Sequence, residues 1–230
     1  MLEKLKKEVY NANMLLPKMG LVTFTWGNVS GIDRKNNLVV IKPSGVEYDK
    51  LTPEDMVVVD FNGNKIDSKL NPSTDTPTHI YLYKKYLELA GICHTHSIYA
   101  TSWCQAGIDL PTHGTTHADN FYGDIPCTKH LLEEQFVNYE HETGVIIYET
   151  LIKRNLNPKI MPAILCNNHG PFTFGDSPGK SVEIAKVLEI VAQMTFQSYL
   201  INKNNNQINQ TLLDKHYLRK HGKKSYYGQK

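Results

Sequence analysis

Residues 91–96 read Gly91-Ile92-Cys93-His94-Thr95-His96, a short apolar run that ends in two histidines one residue apart. A run this short, flanked by glycine and polar residues, reads as a buried strand rather than a helix. Side chains at i and i+2 of a strand share a face, so both imidazoles point the same way and can chelate one ion. Cys93 points to the opposite face. An H-x-H pair alone also fits a polar cluster satisfied by backbone groups.

Outward from this strand, the chain alternates short β-rich pieces with helical stretches. Leu2, Leu5, Val9, Ala12 and Leu16 recur at helical spacing before Pro17 and Gly20. Strand pieces are expected at 21–25, 38–41 and 56–61, the last followed by the Asn62-Gly63 hairpin signal. Ser73-Thr74-Asp75-Thr76 before Pro77 reads as a helix start, and the helix is expected to run through His79 to about Leu89. A helix is expected near 98–106, a polar loop over 111–126 and a long helix over 130–154. Strands follow at 163–166 and 172–174, then a helix over 181–201. Residues 203–210, KNNNQINQ, read as a linker to a basic tail. No repeat or domain boundary interrupts this order, so we expect one domain over 1–230 of α/β layer type with a largely antiparallel sheet.

The 230 residues are 40% apolar and 21% charged, with a formal net charge of +2. That balance excludes disordered and collagen-like chains, and no apolar stretch approaches the roughly 20 residues that span a bilayer. The charged N-terminus lacks the apolar region of a secretory signal. Cys93, Cys104, Cys127 and Cys166 form no C-x-x-C pair, so free thiols and a cytoplasmic setting are expected. The charge is uneven: residues 214–230 hold six Lys/Arg against one acid, leaving a body of −3. Such a tail fits a solvated or nucleic-acid-binding segment, but Tyr217, Leu218, Tyr226 and Tyr227 give it apolar content suited to docking.

No G-x-G-x-x-G, G-x-S-x-G or H-E-x-x-H motif occurs. The stretch Gly175-Asp176-Ser177-Pro178-Gly179-Lys180-Ser181 is one residue short of a P-loop, contains Pro178, and reads as a turn and cap before the helix. A metal constellation stands out instead. His169, in Asn168-His169-Gly170, can add a third nitrogen to His94 and His96, and Asp75 can add an oxygen, although a plain helix N-cap serves equally well for Asp75. Three small polar loops have the character of an anion cradle: 27–30 with Asn28, 42–45 with Lys42, Ser44 and Gly45, and 72–74 with Ser73 and Thr74. The third abuts Asp75, which would put anion and metal in one cleft.

At these residues the chain resembles the class II aldolase/epimerase family, and within it the branch that epimerises L-ribulose 5-phosphate. The resemblance is carried by TWGNVS (25–30), IKPSGV (41–46), PSTDTPTH (72–79), HTH (94–96), GTTHAD (114–119), FYG (121–123), NHGPF (168–172), TLLDKHYLRKHG (211–222) and YYGQ (226–229). It covers essentially the whole chain, and the last two stretches distinguish the epimerase branch from general class II aldolases. Asn167 departs from relatives that carry a further histidine there.

The resemblance implies a three-layer α/β/α fold, a homotetramer with active sites shared between subunits, and a divalent metal, usually Zn²⁺, with Mn²⁺ as an alternative. It assigns Asp75, His94, His96 and His169 to the metal. Asn28, Lys42, Ser44, Gly45, Ser73 and Thr74 fall to a sugar phosphate substrate. Asp119 becomes an acid/base, and Tyr227, in a C-terminal tail (211–230) contributed by a neighbouring subunit, becomes the other. Thr115, Glu140, His216 and Arg219 are expected nearby. The implied reaction interconverts L-ribulose 5-phosphate and D-xylulose 5-phosphate by retro-aldol cleavage and re-addition at C3–C4, as in arabinose breakdown. The chemistry is coherent: the C2 carbonyl does not acidify the C4 proton, and the chain lacks a nicotinamide site, so breaking C3–C4 is the route left for inverting C4. An aldolase that releases the cleaved aldehyde, and a nucleic-acid binder using the tail, are the rival readings.

Overall fold

The computed structural model describes residues 2–229. The apolar stripe of the first helix, α1 (Glu3–Lys18), faces a sheet whose strands alternate sides residue by residue. The strands are β1 (Asn28–Asp33), β2 (Leu38–Ile41), β3 (Val57–Asp60), β4 (Lys65–Asp67), β5 (Gly91–His94), β6 (Ala163–Leu165) and β7 (Pro171–Gly175). They lie in the order β4-β3-β2-β1-β5-β7-β6, and every neighbouring pair is antiparallel. Val39, Val57, Val59, Ile92, Phe172 and Phe174 pack under α2 (Thr76–Lys85) and α5 (Tyr139–Lys153). Val29, Val40, Val58 and Cys93 pack on the other side under α1 and α6 (Pro178–Ile201). This is the expected three-layer arrangement. A third cluster, with Leu110, Phe121, Leu165 and Leu188, joins α3 (Ile98–Ala106) and the 107–128 connection, including the short α4 (Thr115–Ala118), to α6.

Three local expectations are corrected, and the tail's structure is added. Residues 21–25 form no strand: Phe24 has a left-handed φ of 54° and is 78% exposed, a conformation that cannot pair in a sheet. The stretch from Asn28, read as loop, is instead the strand β1 near the sheet's centre. Its small residues answer to crowding, since a Cβ on Gly31 would sit 2.9 Å from Leu5, Val9 and Pro178. The expected long helix of 130–154 divides into a 3-10 turn at Glu133–Asn138, which buries nothing, and α5, where Ile146, Ile147 and Leu151 supply a core face. The basic tail contains a helix, α7 (Gln210–His221), capped by Asn209 and anchored by Leu213 and Tyr217. The turn before α6 is capped as expected, with Ser177 Oγ accepting from the Lys180 N–H.

A candidate metal and phosphate site

His94 closes β5 in register with Asn28 on one side and Phe172 on the other. Its Nδ1 lies 3.0 Å from the Pro171 carbonyl oxygen. A carbonyl only accepts, so Nδ1 carries the hydrogen and Nε2 presents a lone pair. That lone pair stands 3.1 Å from His96 Nε2. His169 completes a group whose ligating atoms all lie within 4.8 Å of one another. The turn that carries it needs its sequence: Asn168 adopts φ 56°, tolerated by Asn, and a Cβ on Gly170 would meet the Thr95 carbonyl at 2.6 Å.

The three imidazoles suit a divalent ion. Burial pushes His94 down to about 3 and lowers His96 and His169 as well, so all are neutral at pH 7, the state a metal ligand requires. His169 Nδ1 is buried without a hydrogen-bond partner. Two ligands at Zn–N distances of about 2.0–2.1 Å in a tetrahedral shell are spaced about 3.3 Å apart, close to the His94–His96 separation. Asp75 stands outside this tight group but lines the same pocket as His96 and His169. It occupies the N-cap position of α2, yet its side chain makes no cap bond; instead it accepts from Asn28 Nδ2 at 2.7 Å. Burial works to raise its carboxyl, and the His94, His79 and His169 imidazoles with the Asn28 amide outweigh that, holding it below the ordinary value.

The pocket encloses about 500 Å³. Asn28, Lys42, Ser44, Gly45, Ser73 and Thr74 line it, so the structure brings all six expected anion-binding residues to the side of the histidines. Lys42 differs from the rest. Its ammonium is directed at the carbonyls of Thr25, Pro43 and Val46, at 3.3, 3.3 and 2.9 Å, and lies over the Tyr48 ring. Those three acceptors use its three donors, so Lys42 fastens the cradle loops together and supplies charge from beneath. Burial pushes it down to about 8.

Asp119 and Tyr227 form a separate unit. Arg219 donates to both Asp119 oxygens, at 3.0 and 2.6 Å, and His216 Nδ1 lies 3.1 Å from Oδ1. The Arg219 guanidinium also sits over the Tyr227 ring, 5.2 Å from its centroid, and the Arg219 carbonyl accepts from the Tyr227 N–H. Burial works to raise Asp119, and Arg219 and His216 more than offset it, keeping it ionised. Thr115 opens α4, and its carbonyl accepts from the Asp119 N–H. Neither Asp119 nor Tyr227 lines the histidine pocket. Asn120 and His221, which flank Asp119, line a different cavity with Gly175, the far end of β7 from Phe172. Glu140 lies in the first turn of α5, its carbonyl accepting from Thr78 Oγ1.

Sequence reading missed three neighbours of the site. Tyr139 places its ring 5.7 Å from His169. Glu189, on α6, accepts from the Tyr99 and Ala100 N–H groups at 2.9 Å each, capping α3 just after His96. A lone acid in the apolar stretch IAKVLEIVA is the one signal that pointed to it. Asn13 grips both backbone groups of Val29, beside Asn28, and nothing in its helical context marks it.

Solved structures share this fold across nearly the whole chain. An L-fuculose 1-phosphate aldolase is 22% identical, with 93% of this chain and 94% of that one covered at a TM-score of 0.77. The L-fuculose 1-phosphate aldolase from Glaciozyma antarctica PI12 is 20% identical, covering 94% and 80% at 0.77. YgbL from Escherichia coli is 18% identical, covering 93% and 97% at 0.72. The family model of the class II aldolase and adducin N-terminal domain matches residues 7–196, from the helix that grips β1 to the one that caps the strand exit of His96, and the chain belongs to that family.

Proposed function

We propose that the protein is a divalent-metal-dependent epimerase that interconverts L-ribulose 5-phosphate and D-xylulose 5-phosphate by breaking and re-forming C3–C4. The observation that carries this reading is one pocket lined both by His96 and His169, of the neutral imidazole group, and by Ser44, Gly45, Ser73 and Thr74. A five-carbon sugar phosphate presents oxygens at one end and a phosphate at the other, matching those two sets of residues. Zn²⁺ held by His94, His96 and His169, with Asp75 beside it, would supply Lewis-acid stabilisation of the charge that develops as C3–C4 breaks.

The chain's own groups perform the rest. The cradle keeps the two-carbon aldehyde phosphate from leaving while its carbonyl turns over. One base takes the C4 hydroxyl proton on cleavage, and one acid on the other face returns a proton after re-addition. Asp119 and Tyr227 are the proposed pair. Because Arg219 ties them into one unit remote from the histidines of their own chain, both reach a site together, from a neighbouring copy. The exposed apolar side chains of Ile98, Phe196, Leu200 and Ile201 support assembly, which we take to be a homotetramer of cytoplasmic enzyme. Arg219 and Lys220 are engaged by Asp119 and Tyr227, which argues against a free nucleic-acid-binding tail.

The test is product identity. Incubation with L-ribulose 5-phosphate is expected to yield D-xylulose 5-phosphate; accumulation of dihydroxyacetone and glycolaldehyde phosphate alone would assign the protein to the aldehyde-releasing aldolases instead.

A further inference from the structure

We propose that His79 is a positioning residue: its Nε2–H, which has no partner in this structure, is the donor that would fix the Asp75 carboxylate in the orientation that faces the metal ligands. The inference rests on the reading of Asp75 as part of that site. Asp75 and His79 begin α2 four residues apart, and side chains at that spacing lie one above the other on a single helix face. The His79 N–H donates to the Asp75 carbonyl at 3.2 Å, which fixes this turn.

The His79 side chain is completely buried. Its Nδ1 lies 2.7 Å from Ser30 Oγ, and Ser30 Oγ lies 2.9 Å from the hydroxyl of Tyr83, also completely buried. A buried phenol must donate its hydrogen, and Ser30 Oγ is the acceptor at hand. Ser30 then spends its own hydrogen on His79 Nδ1, which places the one N–H hydrogen of the neutral imidazole on Nε2. That atom is buried and has no partner, the costly condition that a buried donor avoids. Burial pushes the His79 ring down to about 4, so it is neutral at pH 7, and the Asp75 charge works the other way. Asn28 already holds Asp75 Oδ2, so a second donor from behind would fix the plane of the carboxylate. The His79 ring also meets Phe172 edge-on at 5.9 Å, and Phe172 stacks on His94 at 4.3 Å, so one packed unit seats both sides of the site.

Two variants separate positioning from packing. A glutamine amide reaches about as far as imidazole Nε2, whereas an asparagine amide reaches only as far as Nδ1. The Zn²⁺ dissociation constant of the stripped full-length protein is measured by competition with a chromogenic chelator, and the melting midpoint of the metal-free protein tracks folding. His79→Gln is expected to bind Zn²⁺ within about threefold of the unaltered protein, and His79→Asn about 10–100-fold more weakly. In an Asp75→Asn background the two His79 variants should bind alike, since the carboxylate they address is gone. Equal weakening by Gln and Asn, an Asn variant that binds as tightly as the parent, or a Gln/Asn difference that persists without Asp75 would each overturn the role. An unaltered protein that takes up no stoichiometric Zn²⁺ would overturn the metal-site reading itself, before any His79 variant is compared.

Discussion

His94 Nε2 and His96 Nε2 face each other at 3.1 Å while the opposite nitrogen of His94 is tied to the Pro171 carbonyl. Two imidazole lone pairs at that distance repel unless a hydrogen or a cation lies between them. The Pro171 bond removes His94 Nε2 as the hydrogen source and leaves its lone pair facing His96, so a cation can take the place of a His96 hydrogen between them, and a divalent ion stabilises the folded state by mass action. At Zn²⁺ about a thousandfold above its dissociation constant the gain is about 4 kcal/mol. For a chain of this size that corresponds to a rise in melting midpoint of roughly 8–16 °C. His96→Asn should lose stoichiometric Zn²⁺, most of this rise, and activity together. Retention of one ion per chain, by elemental analysis of the purified variant, would refute the ligand role.

Arg219 joins Asp119 to Tyr227, and this predicts how inactive subunits rescue each other. Tyr227→Phe should lower turnover by about 10²–10⁴-fold with unchanged metal content. Mixed with His96→Asn subunits and allowed to reassemble, it should regain measurable activity, because one intact histidine site can meet one intact Asp119–Tyr227 unit. Asp119→Asn mixed with Tyr227→Phe should not recover, since both lesions damage the same unit. Recovery in that second mixture, in oligomers shown to be mixed, counts against delivery of the pair by one chain.

The sheet and its helices were legible wherever hydrophobic periodicity dominates, as in 38–41, 56–61 and 181–201. The histidine group was legible because His94 and His96 stand at a two-residue strand period and His169 in a glycine turn. What stayed hidden was set by tertiary contact. The strand at Asn28–Asp33 looks like a loop because α1 and Pro178 leave no room for a side chain at Gly31. The tail's docking was expected from its tyrosines, but where it docks was hidden because the acid that engages it, Asp119, lies about a hundred residues earlier. Glu189 is marked only as a lone acid in an apolar stretch and His79 by no local pattern, since their partners come from α3 and from β1.

Asn13 predicts a measurable cost in stability. Its amide accepts from the Val29 N–H at 2.9 Å and donates to the Val29 carbonyl at 3.0 Å, beyond the last residue at which β2 pairs with β1. Asn13→Ala strands both groups in a buried position, with an expected loss of about 1–3 kcal/mol. Because Val29 adjoins Asn28, substrate affinity should fall as well. Chemical denaturation that shows no loss, at an unchanged slope, would mean that the strand finds other partners.

Lys42 predicts how anion affinity depends on pH. Sulfate is a suitable probe because it stays dianionic across the range, and the metal-stripped protein keeps hydroxide from competing at the ion. With the ammonium titrating near 8, Lys42 is charged below that pH and neutral above it. Sulfate affinity should therefore hold steady up to about pH 8 and fall above it, by at most about tenfold per unit, since one proton is linked. Lys42→Met should bind weakly at every pH, with the break near 8 gone. The same shift fixes the sign for folding. A lysine whose pKa is lower folded than unfolded penalises the folded state fully below about 8, and stability rises with pH between about 8 and the ordinary lysine value near 10.4. Titration calorimetry from pH 6.5 to 9.5 reads the first effect directly. A flat sulfate affinity across that window would show that the charge beneath the cradle does not reach its ligand.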